Sequence, residues 1–271
     1  MGLKPTGIDI DLLGKRIRTI VNDPDLAGYL ERLLEDARVE PTEGPVEIFE
    51  ITDLRGDWVL RHNGKGILQT ESRTRLVERF LSTLNELALD GFNGVAIHAG
   101  VVARGRRAMA IPGRSGAGKS TLTAACVAAG FAYVSDEALC LDRLTGNVVP
   151  YPRPLMLSAA SSRLIGISDS PPLAHRGKIA WGPIDLGGET SSLPLHLADV
   201  VLAERGAALS LEPASPSDVI PELLRRSFSG YEDRTESFEL LARAAVDCRA
   251  WRLRYSDAVE AAALLRQTLP V

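Results

Sequence analysis

The sequence has few cysteines, no long apolar run and no strong charge of either sign. Its three cysteines, Cys126, Cys140 and Cys248, lie far apart and match no zinc-ligand spacing, which excludes a disulfide framework and indicates a reduced, cytoplasmic setting. No apolar run approaches the roughly 18 residues of a membrane-spanning helix, and the N-terminus has no apolar signal core, so we expect no membrane partner. A formal net charge of -4 produces no field that would gather nucleic acid, so any anion site must be local.

What is present fits a globular chain of two unequal parts. The 271 residues are 45% hydrophobic and 24% charged, which is typical of proteins with a buried core. Because single cores stop growing at about 250 to 300 residues, we expect one principal domain with a smaller unit attached. A change of pattern near residue 92 predicts a small α+β domain over 1–92 and a larger domain over 93–271.

The first part contains both helical and strand patterns. Asp23 and Pro24 are typical of a helix N-terminus, and a leucine stripe follows them. Short strands are expected over 46–51, 58–61 and 66–70, with a turn at Asn63-Gly64. Residues 71–90 place apolar side chains at helical spacing, and Gly91 is suited to end that helix.

The second part opens with a predicted β-hairpin that turns at Arg104-Gly105 and delivers the chain to Gly113. A small-residue helix over 121–129 and a strand over 131–135 follow, which gives a strand, loop, helix, strand order. We expect further strands over 139–141, 199–203, 210–212 and 251–255, and helices over 217–228, 234–246 and 256–268. The proline-rich stretch 146–197 is predicted to be rich in loops that cover the site.

One motif carries the chemistry. It is the eight-position P-loop pattern, formed by Gly113, Arg114, Ser115, Gly116, Ala117, Gly118, Lys119 and Ser120, with Thr121 directly after it. Glycines let the backbone turn its N–H groups toward phosphate oxygens, and the following helix adds its positive end. Lys119 is expected to reach the β- and γ-phosphates of ATP, and the Ser120 hydroxyl to bind magnesium (Mg2+). The alternative is a glycine-rich turn that happens to contain Lys and Ser.

Two carboxylates follow the next strand. Asp136 and Glu137 come directly after the predicted strand FAYVS, where a neighbouring strand would deliver them beside the phosphates. One of them can complete the magnesium site, for which we choose Glu137. The other, Asp136, can accept the proton of an attacking hydroxyl. The simpler alternative is that both end a strand at the surface.

Two further residues are candidates. His98 lies in the strand AIHAG before the P-loop strand, where a histidine is more often a satisfied core residue than a catalyst. Arg153, in Tyr151-Pro152-Arg153-Pro154, could face a transferred phosphoryl group or a charged acceptor as a guanidinium fork. For Arg153 the sequence favours the simpler alternative, a solvated side chain on a stiff connector.

His98 on a hairpin, GRSGAGKS and then AGFAYVSDE together resemble the catalytic core of bacterial HPr kinase/phosphorylase. The similarity covers about residues 94–142, with weaker echoes in PYPRPL and near the C-terminus. It implies an α/β, phosphoenolpyruvate carboxykinase-like P-loop fold with a mixed sheet. By position, Asp136 and Glu137 match the family's two catalytic acids and His98 the histidine beside them, so the resemblance favours a catalytic role for His98.

The resemblance also implies a function. It predicts an ATP-dependent serine kinase that uses magnesium and acts on a peptide or small protein, including the precursor peptide of a modification pathway. Because HPr kinases are hexamers, it implies self-association as a homo-oligomer. Thr121 stands where HPr kinases carry Glu, and Glu137 replaces an Asp. The chain therefore resembles a divergent member of this group.

Three other functions use similar loops. A transporter ATPase or GTPase is disfavoured, because the sequence has no LSGGQ-like segment and no NKxD segment follows Asp185-Leu186-Gly187-Gly188. A small-molecule hydroxyl kinase differs only in its acceptor pocket, so the sequence leaves it open. A protein that holds nucleotide without turnover is disfavoured by the intact Lys119, Ser120 and Asp136.

Overall fold

The computed structural model describes residues 5–41, 43–114, 116, 118–167, 174–175, 178–191, 194–228 and 234–269. Across these residues the chain is a mixed α/β protein with a five-stranded, an eight-stranded and a three-stranded sheet. The eight-stranded sheet combines parallel and antiparallel pairs, which confirms the expected α/β class with a mixed sheet. Of the helices in the described residues, none combines the length and apolarity needed to cross a membrane.

The N-terminal part is a sheet with two helices. Its elements are β1 (Thr6–Leu12), β2 (Lys15–Val21), α1 (Pro24–Leu33), β3 (Glu47–Asp53), β4 (Trp58–His62), β5 (Lys65–Thr70) and α2 (Arg73–Leu89). The strands follow one another in sequence order, and only the β2–β3 pair is parallel. Helix α1 begins at the predicted cap, where Asp23 accepts a hydrogen bond from the Leu26 N–H. Ser72 caps α2 in the same way by accepting a hydrogen bond from the Arg75 N–H.

The β1–β2 hairpin was not predicted from the sequence patterns. Ile8, Ile10 and Leu12 alternate with polar residues and are buried, as expected for a half-buried strand. The turn between the strands lies at Leu13-Gly14, with φ of 54° and 83°. Such a turn normally carries Asn or Asp before Gly. Leucine in that position removed the usual hairpin signal.

The core of the N-terminal part continues into the rest of the chain. Residues from one face of the sheet pack against the leucine stripe of α1 and against Leu76, Phe80 and Leu84 of α2. The same buried cluster includes Ala96, Ala138, Cys140 and Tyr151. The N-terminal part therefore packs directly on the strands that carry the predicted acids, and the boundary near residue 92 stays a prediction.

The second part contains the larger sheet. Its elements are β6 (Gly94–Arg104), β7 (Arg107–Pro112), α3 (Lys119–Ala128), β8 (Ala132–Ser135), β9 (Ala138–Asp142), β10 (Val148–Val149), β11 (Leu155–Ser158), α4 (Ala159–Leu164), β12 (Ala174–His175), β13 (Lys178–Trp181), β14 (His196–Arg205), β15 (Ser210–Ala214), α5 (Pro216–Arg226), α6 (Arg234–Asp247), β16 (Arg249–Tyr255) and α7 (Ala258–Thr268). The strand order is β10-β9-β6-β7-β14-β16-β15, and β8 also pairs with β6. The predicted strands and helices are confirmed in kind, with ends that differ by a few residues.

The described residues of the stretch 146–197 form more regular secondary structure than predicted. Its strands β11, β13 and β12 form a small antiparallel sheet, and α4 follows β11 directly. Leu155 and Leu157 are buried and alternate with half-buried Met156 and Ser158, which is the pattern of a strand with one covered face. Pro150, Pro152 and Pro154 precede this sheet and Pro183 follows it, so counting prolines overstated the loop content.

Helices cover both faces of the larger sheet. Helices α3 and α7 share a buried cluster with Val102 and Met109, whereas α5 and α6 share one with the neighbouring Val101 and Ala108. Because successive strand residues point to opposite faces, these helix pairs lie on opposite sides. Strands β7, β14 and β16 are parallel, so their carboxyl ends meet at one edge of the sheet. The segment from Gly113 leaves β7 at that edge.

Gly100 sets the distance between β6 and α3. A Cβ built on Gly100 would lie 2.1 Å from Thr123 Oγ1, which is closer than real atoms approach. Thr123 is fully buried in α3, and its hydroxyl has no hydrogen-bond partner among the described residues. The helix that begins at Lys119 therefore rests on a strand position where only glycine fits.

We expect Gly100→Ala to lower the free energy of unfolding by about 1 to 3 kcal/mol, since overpacked cores lose that much. Adding Thr123→Ala should recover much of the loss, because the nearest remaining side-chain atom is then Cβ at 3.4 Å. Denaturant unfolding of both variants measures the coupling. Gly28→Ala in α1 is the control, because its Cβ meets no atom within 4 Å. Equal losses in the single and double variants would contradict this contact.

Candidate functional site

The predicted P-loop joins β7 to α3. Gly116 and Gly118 have φ of 82° and 87°, in the left-handed region that favours glycine. Gly118 is the N-cap residue of α3 and provides no side-chain cap, so the first backbone N–H groups of the helix are available to an anion. Ser115 and Ala117 lie outside the described residues.

Gly118 is also enclosed on one side. A Cβ on Gly118 would lie 3.0 Å from Arg205 Nη2 and 3.3 Å from Tyr255 Oη. The Arg205 guanidinium stacks on the Tyr255 ring at 4.7 Å and donates a hydrogen bond of 2.6 Å to the Ser256 carbonyl. Arg205 was not among the candidate residues predicted from the sequence. A charged residue at the carboxyl end of a strand parallel to the P-loop strand was the available signal.

Lys119 folds back over its own loop. Its Nζ donates hydrogen bonds of 2.8 Å to the Gly113 carbonyl and 2.9 Å to the Arg114 carbonyl. The residue is only 7% exposed, yet its amine lines a cleft. A buried ammonium needs such acceptors. The loop therefore holds a positive charge at the start of α3.

His98 completes the surroundings of Lys119. The His98 Nε2 atom lies 3.1 Å from Lys119 Nζ, and Nδ1 lies 2.9 Å from the Glu137 carbonyl. An ammonium can only donate, so Nε2 accepts and Nδ1 carries the proton that is donated to Glu137. Burial lowers the pKa of His98, and the charge of Lys119 lowers it further. At neutral pH His98 is therefore a neutral imidazole held between Lys119 and Glu137, which is neither a solvated nor a purely apolar setting.

Asp136 and Glu137 occupy the bend between β8 and β9. Both strands pair with β6, and Ala99 donates a hydrogen bond to the Glu137 carbonyl. The bend brings both side chains to the cleft that Lys119 and His98 line. The predicted end of β8 at Ser135 is confirmed. The simpler alternative, a plain surface position, does not fit Asp136, which is 8% exposed.

Asp136 is a buried carboxyl with spare hydrogen-bonding capacity. Burial raises the pKa of Asp136 to about 6, while the charge of Arg153 and the Ser120 hydroxyl act in the opposite direction. Its Oδ1 has no hydrogen-bond partner in the described part of the chain. A carboxylate oxygen of this kind can accept a proton or coordinate a cation near neutral pH.

Glu137 is paired with Arg153. Arg153 Nη1 lies 2.6 Å from Glu137 Oε2, and the Arg153 side chain is 15% exposed. The Tyr133 hydroxyl donates a hydrogen bond of 2.6 Å to the Arg153 carbonyl and so fixes the backbone at this point. The expectation of a solvated Arg153 is therefore wrong, because its guanidinium is drawn to a carboxylate that is distant in sequence.

The cleft has a volume of about 290 Å³. Besides the predicted residues, it is lined by the β11–α4 junction, which no sequence motif had indicated. Thr121 Oγ1 lies 2.8 Å from Ser161 Oγ, which lies 2.9 Å from Ser158 Oγ. These hydroxyls extend the polar lining away from Lys119. Ser158 also caps α4, and that capping pattern was the only sequence signal for it.

The described residues offer few protein ligands for a metal ion. No group of three or more His, Cys, Asp or Glu side chains suited to a metal ion occurs in the described residues. The Ser120 hydroxyl and the Asp136 and Glu137 carboxyls share one cleft. Oxygen ligands of this number fit Mg2+, which commonly takes one or two carboxylates and completes its shell with phosphate oxygens and water.

The raised pKa of Asp136 predicts a gain of stability when its charge is removed. The pKa rises from 3.8 to about 6 on folding, so the ionised form opposes folding above pH 6 and this cost disappears below about pH 4. We expect Asp136→Asn to raise the free energy of unfolding at pH 7.5 by an amount on the order of 2 kcal/mol. At pH 4 the variant and the original chain should unfold alike in denaturant titrations.

Asp142→Asn in β9 is the matched control for this prediction. Hydrogen bonds from Thr145 lower the pKa of Asp142, so its charge favours folding above its unfolded pKa. This variant should lose stability at pH 7.5. If the free energy of unfolding depends on pH in the same way with and without Asp136→Asn, the environment of the Asp136 carboxylate is not unfavourable.

Comparisons with known proteins do not add a family to this geometry. No protein-family model matches the chain, and no curated protein matches its sequence. The resemblance to HPr kinases over residues 94–142 therefore depends on the motifs themselves. Their side chains meet in one cleft, and a functional assignment has to be argued from that arrangement.

Proposed function

We propose that the chain is an ATP-dependent kinase, similar to HPr kinases, that transfers the γ-phosphoryl group to a serine hydroxyl of a peptide or small protein. The observation that carries the proposal is the meeting of Lys119, His98, Asp136 and the Glu137–Arg153 pair in one cleft at the start of α3. A phosphoenolpyruvate carboxykinase-like P-loop fold, a separate N-terminal domain and a cytoplasmic setting belong to the same proposal.

Phosphate binding uses the loop and the start of α3. Incoming phosphate oxygens replace the Gly113 and Arg114 carbonyls as partners of the Lys119 ammonium. The helix supplies backbone N–H groups and the positive end of its dipole. His98 stays neutral beside Lys119, so it accepts a hydrogen bond without adding a charge that would compete for the phosphate.

Asp136 is the proposed general base. Its Oδ1 accepts the proton of the acceptor hydroxyl while the hydroxyl oxygen forms a bond to the γ-phosphorus. The bond between that phosphorus and the bridging β–γ oxygen breaks, and ADP keeps the electron pair. A carboxyl with a pKa of about 6 is mostly ionised at neutral pH and still takes up a proton readily.

Ser120 and Glu137 are the residues that would hold magnesium, and Asp136 lines the same cleft. A Mg2+ ion held there would neutralise the charge that develops on the phosphate oxygens. Arg153 holds the Glu137 carboxylate at 2.6 Å, so it positions this ligand and adds positive charge near the transferred group.

Removal of the lysine amine tests nucleotide binding. We expect Lys119→Ala to weaken binding of magnesium-ATP at least about tenfold, since charge-assisted hydrogen bonds to phosphate are lost. Calorimetric titration measures this, with Lys65→Ala on strand β5 as the matched control. The two loop carbonyls lose a donor, so a small loss of stability without nucleotide is also expected. Unchanged ATP affinity would contradict the phosphate site.

Neutralising the proposed base tests transfer. We expect Asp136→Asn to reduce phosphate transfer from γ-labelled ATP to a randomised serine-peptide library by about 10²- to 10⁴-fold, as is typical for loss of a general base. ATP binding should be retained. Asp142→Asn, which lies outside the cleft, serves as the control and should transfer normally. Normal transfer by Asp136→Asn would remove this residue from the mechanism.

A further inference from the structure

A second and larger cleft lies on the opposite side of the loop. Its volume is about 470 Å³. Gly113 and Arg114, at the start of the loop, form one wall, and residues of α5 form the other. The carboxyl-terminal halves of β14 and β16 lie between these walls. Ligands of open α/β sheets commonly bind at this edge, outside the carboxyl ends of parallel strands.

Charged side chains surround this second cleft. Glu222 on α5 contacts Arg226 at 2.7 Å and Arg225 at 3.4 Å. Arg252 on β16 contacts Glu204 at 2.9 Å and Asp218 at 3.5 Å. The exposed contact between Arg225 and Glu222 adds little stability, so a carboxylate of a ligand can replace Glu222 as the partner of Arg225 at low cost. Arg225 is the most open of them, with 62% of its side chain exposed.

Positive charge exceeds negative charge around the cleft. The lining contains Arg114, Arg225, Arg226 and Arg252 against Glu204, Asp218 and Glu222. Arginine forks bind carboxylates with two parallel hydrogen bonds. The lining is therefore suited to a ligand that brings carboxylates of its own, in contrast to the acidic balance of the whole chain.

The walls of this cleft converge on the first cleft. The Gly113 and Arg114 carbonyls accept the hydrogen bonds of Lys119. After α5 the chain runs past β6, where Ser227 pairs with Ile97, and the Phe228 ring meets the His98 ring edge-on at 6.1 Å. Both walls thus lead to His98 and Lys119, at the start of the loop.

The position of the second cleft determines the side from which an acceptor can approach the phosphate. In phosphoryl transfer the attacking and leaving oxygens lie roughly in line, on opposite sides of the phosphorus. The hydroxyl-lined end of the first cleft, at Thr121 and Ser161, lies past the other end of the loop from Gly113. If the nucleoside occupies that end, the second cleft is on the side from which an acceptor hydroxyl can arrive.

We propose that the second cleft binds an extended, acidic polypeptide segment that carries the acceptor serine. This inference rests on the proposed kinase function. Arg225, with Arg226 beside it, exchanges Glu222 for carboxylates of the segment. The serine hydroxyl approaches Asp136 from the side of Gly113. The cleft then selects the acceptor by its charge, apart from the residues that bind ATP.

Peptide binding tests the inference without requiring transfer. Three labelled peptides of equal length carry one central serine flanked by glutamate, glutamine or lysine, and fluorescence anisotropy measures their binding with magnesium-ADP present. We expect the glutamate peptide to bind about tenfold more tightly than the glutamine peptide at low salt, with lysine weakest. Added salt should reduce the preference.

Paired variants locate the site. Arg225→Gln combined with Arg226→Gln should abolish the preference for glutamate and leave ATP binding unchanged. Arg75→Gln combined with Arg243→Gln removes the same charge from exposed positions outside the cleft and should keep the preference. If the first pair fails to fold, the preference and salt dependence of the unaltered chain still decide the question.

Several outcomes would overturn the inference. Equal binding of the three peptides, or a preference for lysine, rules out an acidic acceptor segment. Loss of ATP binding in Arg225→Gln/Arg226→Gln, with no effect on peptides, would assign the cleft to the nucleoside. By contrast, glutamate preference without any ATP binding by the unaltered chain would refute the kinase function and retain the cleft as a peptide site.

Discussion

The arrangement of the site depends on the Lys119 ammonium, which has three hydrogen-bond acceptors among the described residues. Two of them are carbonyls of its own loop and the third is His98. A buried cation must satisfy its hydrogen bonds, so it gives the loop its shape. It also requires His98 Nε2 to be unprotonated, and Nδ1 then donates to the Glu137 carbonyl. One charge therefore links the loop, β6 and the bend between β8 and β9.

The same cleft contains charges that oppose folding. Burial raises the pKa of Asp136 to about 6, and the nearby cations only partly offset this. A carboxylate with an unpartnered oxygen in a largely buried position costs stability. Such strain is typical of sites whose groups are arranged for a ligand. Close packing elsewhere, including the contact of Gly100 with Thr123, keeps the start of α3 in place despite this cost.

Sheet topology explains why two clefts share one loop. The carboxyl ends of the parallel strands β7, β14 and β16 lie at one edge, and helices cover both faces of the sheet. The loop leaves β7 at that edge and turns toward α3 on one face. The space between the loop and α5 on the opposite face remains as the second cleft.

Most local elements and the glycine-rich motif follow from the sequence alone, although the β1–β2 hairpin did not. Helix caps, alternating strands and the loop motif depend on neighbouring residues, so Asp23 and Ser135 were located correctly. Only the tertiary structure decided the partners. The Glu137–Arg153 pair, the stacking of Arg205 on Tyr255 and the arginines of α5 join residues that are distant in the chain. Local patterns carry no information on such contacts, because strand order and helix packing determine which side chains meet.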